Sequence, residues 1–219
     1  MGQVKILTND QKLILDEFRK DPILSSNFYF TGGTALSFYY LQHRYSIDLD
    51  FFSEKKFDPK IIFNRVSLWS KKHKFTYKLK NIEELYTYLL TFSDGRNLKV
   101  DFSHYPYKLL RNPKSIDGLK VDSRLDIAVN KITAIVQRSE VKDFVDLYFL
   151  LNEFSLWDLI EGVRIKFNME IDPICLGNDF YMIEDFNFLP KMVKPLKLTD
   201  LQKFFTQKSR EVAGRVVEE

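Results

Sequence analysis

Three aspartates, Asp48, Asp50 and Asp101, have the type and spacing needed for phosphoryl transfer. Residues 47–52 alternate apolar and polar side chains, which predicts a strand carrying Asp48 and Asp50 on one face. Mg²⁺ prefers oxygen ligands, usually one or two carboxylates together with phosphates and water. Asp101 lies on the same kind of face in a later predicted strand, where it could complete a metal site or accept a hydroxyl proton. The pattern therefore predicts a carboxylate metal site.

A glycine turn precedes these acids in the sequence. Gly32, Gly33 and Thr34 follow a short predicted strand, residues 28–30, and begin a predicted helix. Backbone N–H groups at such a turn can bind phosphate. Each part alone has an ordinary alternative, because paired acids are often a solvated strand face and a Gly-Gly turn often only supplies positive φ. Their order and spacing together favour phosphate and metal binding.

Periodicity predicts a sheet in the first half of the chain. In the strand with the paired aspartates, Ile47, Leu49 and Phe51 are expected to face the core. Two further β-rich runs, 85–92 and 98–103, are separated by an Asp-Gly pair that predicts a hairpin. The second of these runs turns its central aspartate away from the core.

The second half of the chain has a helical period. Ser123 and Ser155, each followed three residues later by an aspartate, are predicted to cap helices with apolar stripes. We therefore expect an α+β protein. A mixed β-sheet with flanking helices is expected in residues 1–121, followed by a helical C-terminal domain, residues 122–219, packed on it.

Composition excludes several classes of protein. The chain has 219 residues, 33 Lys+Arg against 30 Asp+Glu, and a single cysteine, Cys175, which we interpret as structural. A chain of this length can bury a large core without disulfides. No run approaches the roughly 18 apolar residues that a membrane span requires. We expect a soluble cytoplasmic protein with no membrane partner.

One segment is strongly basic, because no acidic residue lies between Asp58 and Glu83. Such a segment could bind a polyanion or could only solvate one face of the protein. Phe75 and Tyr77 in this segment fall on the strand face opposite Lys78 and Lys80, so they are predicted to lie in the core. The basic side chains then remain as a candidate phosphate track. These side chains, called the basic interval below, are Lys60, Arg65, Lys71, Lys72, Lys74, Lys78 and Lys80.

The combined pattern resembles a known family. The segment from Thr31 through the glycine turn to Phe52 is similar to the signature of the AbiEii/AbiGii toxin family of minimal nucleotidyltransferases, within the polymerase-β-like superfamily. The resemblance spans roughly residues 28–151 and, more loosely, 181–190, and it implies a nucleotidyltransferase-type fold. One departure from the wider superfamily is that its usual Gly-Ser is Gly-Gly-Thr here. The family's later motifs resemble Val100-Asp101-Phe102, Lys131 through Arg138, and Lys142-Asp143 through Asp146.

The resemblance implies transfer of a nucleoside monophosphate from an NTP to a hydroxyl of RNA, such as the tRNA 3′ end, or of protein. It implies Mg²⁺ or Mn²⁺ bound by Asp48, Asp50 and Asp101, with Lys131 and Asp143 completing the catalytic set. It also implies a toxin with a cognate antitoxin. The residues implied to contact the nucleotide are Gly32, Gly33, Thr34, Arg44, Ser46, Lys131, Arg138 and Lys142.

Several alternatives stay open at the level of sequence. Arg44 could steady phosphate or could pair with a nearby aspartate. Lys131, Arg138 and Lys142 could form an ordinary basic helix face, and Asp143 could only favour its helix dipole. The whole protein could be a catalytically silent module that binds nucleotide or a partner, or a kinase-like phosphotransferase that uses the same metal site.

Overall fold

The structure is a computed structural model of the chain, and it describes residues 5–214. The described chain divides into two compact units. The first comprises the chain up to Tyr39 together with Ser46–Lys108 and Asn112–Asp122, and the second comprises Tyr40–Tyr45, Leu109–Arg111 and the chain from Ser123 onward. Each unit is treated by itself below.

The first unit contains a seven-stranded mixed sheet in the order β3-β4-β5-β2-β1-β7-β6. The β1–β7 and β2–β5 pairs are parallel and the other pairs are antiparallel. The strands are β1 Tyr29–Thr31, β2 Leu49–Ser53, β3 Thr76–Ile82, β4 Leu85–Thr91, β5 Asn97–His104, β6 Lys114–Ile116 and β7 Leu119–Val121.

Two helices of the first unit, Asn9–Lys20 and Pro59–His73, pack on one face of this sheet, which holds the core. Phe18 stacks on Phe51 of β2 with ring centroids 4.0 Å apart, and Ser67 hydrogen-bonds the hydroxyl of Tyr77 in β3 at 2.6 Å. Both contacts lie on the same face, because register relates Tyr77 through β4 and β5 to the Phe51 side. The helices are α1 Asn9–Lys20, α2 Pro22–Asn27, α3 Gly32–Leu36, which continues as a π-helical segment Ser37–Leu41, and α4 Pro59–His73.

The strand that carries the paired aspartates is shorter than predicted. It begins at Leu49, which pairs with Val100, so Ile47 precedes the ladder and has no strand beside it. The expectation that Ile47 faces the core was wrong, since its side chain is 71% exposed. Leu49 and Phe51 are fully buried as predicted.

The second unit is helical throughout its regular structure. Ser123 and Ser155 cap α5 and α7 as predicted, each accepting a hydrogen bond from the backbone N–H three residues later. Helix α5 ends because Ser139 adopts a left-handed conformation with φ 44°. The helices are α5 Arg124–Arg138, α6 Val141–Leu150, α7 Leu156–Phe167, α8 Pro173–Tyr181, a 3₁₀ turn Met182–Asp185 and α9 Leu198–Gly214.

A buried acid fastens the short segment 109–111 within the second unit. Asp126 accepts hydrogen bonds from the backbone N–H groups of Leu110 at 2.9 Å and Arg111 at 3.0 Å. Its carboxylate also lies 2.8 Å from the ammonium of Lys166. The sequence predicts that a helix starts at Ser123. It does not show that Asp126 binds segment 109–111, because that contact depends on the tertiary structure.

The predicted fold class is confirmed, since a mixed sheet with flanking helices precedes a helical C-terminal part. The β6–β7 hairpin was not predicted, because two strands of three residues give too short an alternation to recognise. Among residues 5–214, no helix has the length and apolar composition to cross a membrane.

Candidate active site

Two of the predicted acids lie side by side on the sheet. Asp50 of β2 and Asp101 of β5 are direct partners in the parallel register. Asp48 precedes β2, but its carboxylate lies 3.8 Å from the ammonium of Lys99, which also contacts Asp101, so Asp48 lies near the same face. This face is opposite to the one covered by α1 and α4. The pairing of β2 with β5, which the sequence did not show, thus brings the predicted acids together.

The glycine turn packs directly against one of these carboxylates. A Cβ at Gly32 would lie only 2.1 Å from Oδ2 of Asp50, and Gly32 has φ +74°. Only glycine fits here, because both the left-handed backbone and the close approach exclude a side chain. The turn is further fixed where Thr34 Oγ1 donates to the backbone oxygen of Asp48 at 2.5 Å. The hydroxyl of Thr34 thus fixes the backbone immediately before β2.

Thr31, the last residue of β1, contacts an acid that sequence reasoning missed. Its hydroxyl donates to Oδ2 of Asp122 at 2.6 Å, and Asp122 is fully buried at the end of β7. The backbone N–H of Asp122 donates to Phe30 at 2.9 Å. No motif marks Asp122, because its position depends on the parallel β1–β7 pair.

A lysine lies against the predicted metal ligands. Lys99 Nζ is 2.8 Å from Oδ2 of Asp101 and 3.8 Å from Oδ2 of Asp48. Burial alone would lower the pKa of Lys99, but the hydrogen bond to Asp101 and the negative charges of Asp101, Asp48 and Asp50 raise it above its usual value. The carboxylate face thus already holds one positive charge.

The carboxylates do not form a ready-made metal cage. Within residues 5–214, no group of three or more His, Cys, Asp or Glu side chains is arranged to hold a metal ion. Asp101 is only 5% exposed, and its Oδ1 has no hydrogen-bond partner among the described residues. A buried carboxylate oxygen without a donor suits a cation, so the chemistry of the donor set fits the predicted metal although the metal role stays a prediction.

The predicted helical residues form a buried ion network in the second unit. Lys131 Nζ lies 2.6 Å from Oδ1 of Asp143 and 2.7 Å from Oδ2 of Asp146. Burial favours the neutral amine, but Asp146 and Asp143 raise the pKa of Lys131. Lys131 is therefore charged and turned inward, so the alternative of an ordinary basic helix face does not describe it.

Arg44 joins the same network from the segment 40–45. Its Nε and one terminal nitrogen lie 2.6 and 2.8 Å from the two carboxylate oxygens of Asp146. Burial would raise the pKa of Asp146, but the charges of Arg44 and Lys131, with hydrogen bonds from Arg44 and His43, hold it well below its usual value. The alternative in which Arg44 pairs with an aspartate is thus what the structure shows, with Asp146 as the partner.

His43 is a neutral member of this network. Its Nε2 lies 2.7 Å from Oδ1 of Asp146, and the side chain is fully buried. Burial lowers the pKa of His43, and the charges of Arg44 and Lys131 lower it further, which outweighs the hydrogen bond to Asp146. No spacing in the sequence points to His43, because its acid partner is 103 residues away.

The remaining predicted residues differ in their surroundings. Arg138 donates to Oδ2 of Asp143 at 3.0 Å and its side chain is half exposed. Lys142 lies on a separate helix from Arg138 and pairs with Glu140 at 2.8 Å. In the first unit, the side-chain amide of Gln11 donates a hydrogen bond to the backbone carbonyl of Ser46 at 2.8 Å.

The model of one protein family matches residues 13–209, most of the chain, and is described as "Nucleotidyl transferase AbiEii toxin, Type IV TA system". The chain belongs to the AbiEii family. The predicted family is confirmed, and with it the predicted enzyme class at the level of that family. The segments of this AbiEii chain that resemble the family's motifs carry the carboxylates and glycine turn of the first unit and the ion network of the second unit.

Individual proteins are also similar to this chain. The chain is 38% identical over 142 residues to the uncharacterized protein aq_aa25 of Aquifex aeolicus (strain VF5), a match that covers 63% of the chain and 64% of that relative. Its fold is similar to that of the crystal structure of JHP933 from Helicobacter pylori, with TM-score 0.59, 19% identity, and 97% and 95% of the two chains covered. Another H. pylori structure matches with TM-score 0.60, 18% identity, and coverage of 97% and 98%.

Proposed function

We propose that this chain is a nucleotidyltransferase that transfers a nucleoside monophosphate from an NTP to a hydroxyl at the 3′ end of RNA, with tRNA as the first candidate acceptor. The observation that carries the proposal is the pairing of Asp50 with Asp101 on one sheet face beside the turn at Gly32, with Asp48 close to the same lysine as Asp101. Membership of the AbiEii family supports the reaction class and the role of a toxin with a cognate antitoxin.

The three aspartates are the proposed ligands of Mg²⁺ or Mn²⁺. They supply hard oxygen donors, and Oδ1 of Asp101 is buried without a hydrogen-bond partner among residues 5–214. The ammonium of Lys99 beside Asp101 and Asp48 supports the site's preference for positive charge. When bound, the metal neutralises phosphate charge and polarises the phosphoryl oxygens.

The chain's own groups position the substrates and move one proton. The acceptor hydroxyl forms a bond to the α-phosphorus of the NTP while the bond from that phosphorus to pyrophosphate breaks. Asp101 is the proposed acceptor of the hydroxyl proton. The backbone N–H groups of Gly32, Gly33 and Thr34 are proposed to contact the departing phosphates. The side-chain hydroxyl of Thr34 is not assigned this role, because it already donates to the backbone oxygen of Asp48.

The first unit is proposed to be the nucleotidyltransferase domain. The second unit, taken by itself, contains a positively charged network. Its four cations, Arg44, Lys131, Arg138 and Lys142, face three carboxylates, Asp143, Asp146 and Glu140, so the network has one excess positive charge. We propose that half-exposed Arg138, together with Lys142, contacts nucleotide phosphates. Lys131, Asp143 and Arg44 are then positioning residues. Ser46 is proposed to steady the chain before Asp48.

The decisive experiment measures transfer of label to RNA. The protein is incubated with Mg²⁺, total tRNA and each α-labelled NTP in turn, beside the Asp48→Asn, Asp50→Asn double variant. The matched control is Asp117→Asn, which changes an exposed acid of the β6–β7 turn. Label reaching RNA with the intact protein and the control, but not with the double variant, is the expected result.

Other outcomes point to the alternatives. Label on protein instead of RNA would redirect the acceptor, and transfer from γ-labelled but not α-labelled NTP would indicate kinase-like chemistry. No transfer to any acceptor would favour a catalytically silent module. Growth arrest on expression, relieved by the same double substitution and by the cognate antitoxin, tests the role as a toxin.

A further inference from the structure

The sheet face that carries the aspartates continues in register onto lysines of the edge strand. Asp101 of β5 pairs with Thr87 of β4, and Thr87 pairs with Lys80 of β3. In the neighbouring row, Lys99 pairs with Leu89, which pairs with Lys78. Lys78 and Lys80 therefore lie on the same face as the carboxylates.

This outer part of the sheet is open, and its acidic residues, Glu83 and Glu84, lie in the turn between β3 and β4. Strands β3 and β4 contain no acidic residue. Lys78 and Lys80 are exposed, and two apolar side chains on the same face are exposed as well, Leu89 by 41% and Ile82 by 53%. An apolar, positively charged strip of this kind is typical of a binding surface for a polyanion with apolar groups.

The other lysines of the basic interval lie on helix α4 and its C-terminal end. Residues of that helix pack on the opposite face of the sheet, where Ser67 bonds Tyr77. Lys72, for example, pairs with Glu17 of α1 at 2.8 Å. The structure thus separates the interval into two groups, and only Lys78 and Lys80 share the face of Asp101.

We propose that Lys78, Lys80, Thr87 and Leu89, the lysine strip, bind the single-stranded 3′ end of the RNA acceptor. The proposal rests on the proposed function and names the path of its acceptor. Lys80 lies two strands from Asp101, or about 10 Å at the usual strand spacing. A 3′ hydroxyl at the carboxylates thus places the adjoining phosphates near the lysines, while Leu89 contacts ribose or base.

The test measures binding of a fluorescent single-stranded RNA oligonucleotide by anisotropy across a salt series, without NTP. In Lys78→Gln, Lys80→Gln, the slope of log affinity against log salt should become less steep by about 1.4, since each phosphate contact on a single strand contributes about 0.7. The matched control is Lys60→Gln, Lys71→Gln, which removes the same charge from exposed positions on α4 and should leave the slope nearly unchanged.

A gain-of-function variant provides an independent test. Thr76 is exposed on β3, on the same face as the two lysines, so Thr76→Lys should steepen the salt slope by about 0.7. Equal slopes for the strip variant, the α4 control and the intact protein would overturn the proposal, and so would RNA binding that only the α4 control weakens.

The experiments distinguish failure of the lysine strip as an RNA-binding surface from failure of the proposed nucleotide transfer. Nucleotide transfer to RNA with an unchanged slope in the strip variant would reject the strip while leaving the proposed function standing. A reduced slope in a protein that transfers no nucleotide would support the strip and reject the reaction. Transfer to protein hydroxyls, with RNA affinity independent of salt, would overturn the strip.

Discussion

Substitution of Gly32 by alanine tests the geometry at the carboxylates directly. The new Cβ would lie 2.1 Å from Oδ2 of Asp50, whereas ordinary contacts begin near 3.4 Å. The carboxylate or the turn must therefore shift by about 1.3 Å. Misplacement of a catalytic group by about 1 Å can cost on the order of 100-fold in rate, so Gly32→Ala should lose nucleotide transfer by about that factor.

The backbone contribution to this effect can be separated by a matched control. Gly95 has φ +83°, close to the +74° of Gly32, but a Cβ there would meet no atom within 4 Å. Both substitutions should cost about 1–2 kcal/mol for the left-handed backbone. Only Gly32→Ala adds the displacement of Asp50, so it should lose more stability than Gly95→Ala and should alone lose activity.

The assay combines urea unfolding with transfer of α-labelled nucleotide at saturating Mg²⁺. Equal rates for Gly32→Ala and Gly95→Ala, at equal loss of stability, would refute the inference that the turn holds Asp50 in place. Gly118→Ala, with φ +79° and open space, repeats the control at a second turn.

The remaining predictions concern the ion network and the lysine at the carboxylates. Asp146→Asn should lower the free energy of unfolding by about 3–5 kcal/mol in chemical denaturation, because it leaves the buried cations Arg44 and Lys131 undercompensated. Because the folded pKa of His43 is lowered, the unfolded chain binds its proton first, and thermal stability should fall as pH drops below about 6.5, less steeply in His43→Gln. Lys99→Met should tighten Mn²⁺ binding, measured by electron paramagnetic resonance, because the cation no longer competes with the ammonium.

Each of these predictions has a contrary result. An unfolding free energy for Asp146→Asn within 1 kcal/mol of the intact protein, on the order of a surface change, would mean that the network is not buried as described. Identical pH profiles for His43→Gln and the intact protein would mean that His43 titrates alike in both states. Weaker Mn²⁺ binding by Lys99→Met would mean that the lysine supports the site instead of competing for it.

Local signals in the sequence were sufficient for much of the fold. Alternation identified the strands with Asp50 and Asp101, and the Asp-Gly pair identified the hairpin formed by β4 and β5. Ser123 identified a helix start. These features depend on residues within a few positions of one another, so periodicity and capping preferences reveal them. The failure at Ile47 has the same origin, since alternation does not show where a ladder of hydrogen bonds stops.

Pairing between distant segments decided the rest. The sequence by itself determined which residues could hold phosphate and metal, because carboxylates and glycine turns have that chemistry wherever they lie. Only the tertiary structure brought Lys99 within 3.8 Å of Asp48, joined His43 to Asp146 across 103 residues, and divided the basic interval between two faces of the sheet. The physical reason is that strand register and helix packing fix which side of the sheet a charge occupies, and neither is encoded by neighbouring residues alone.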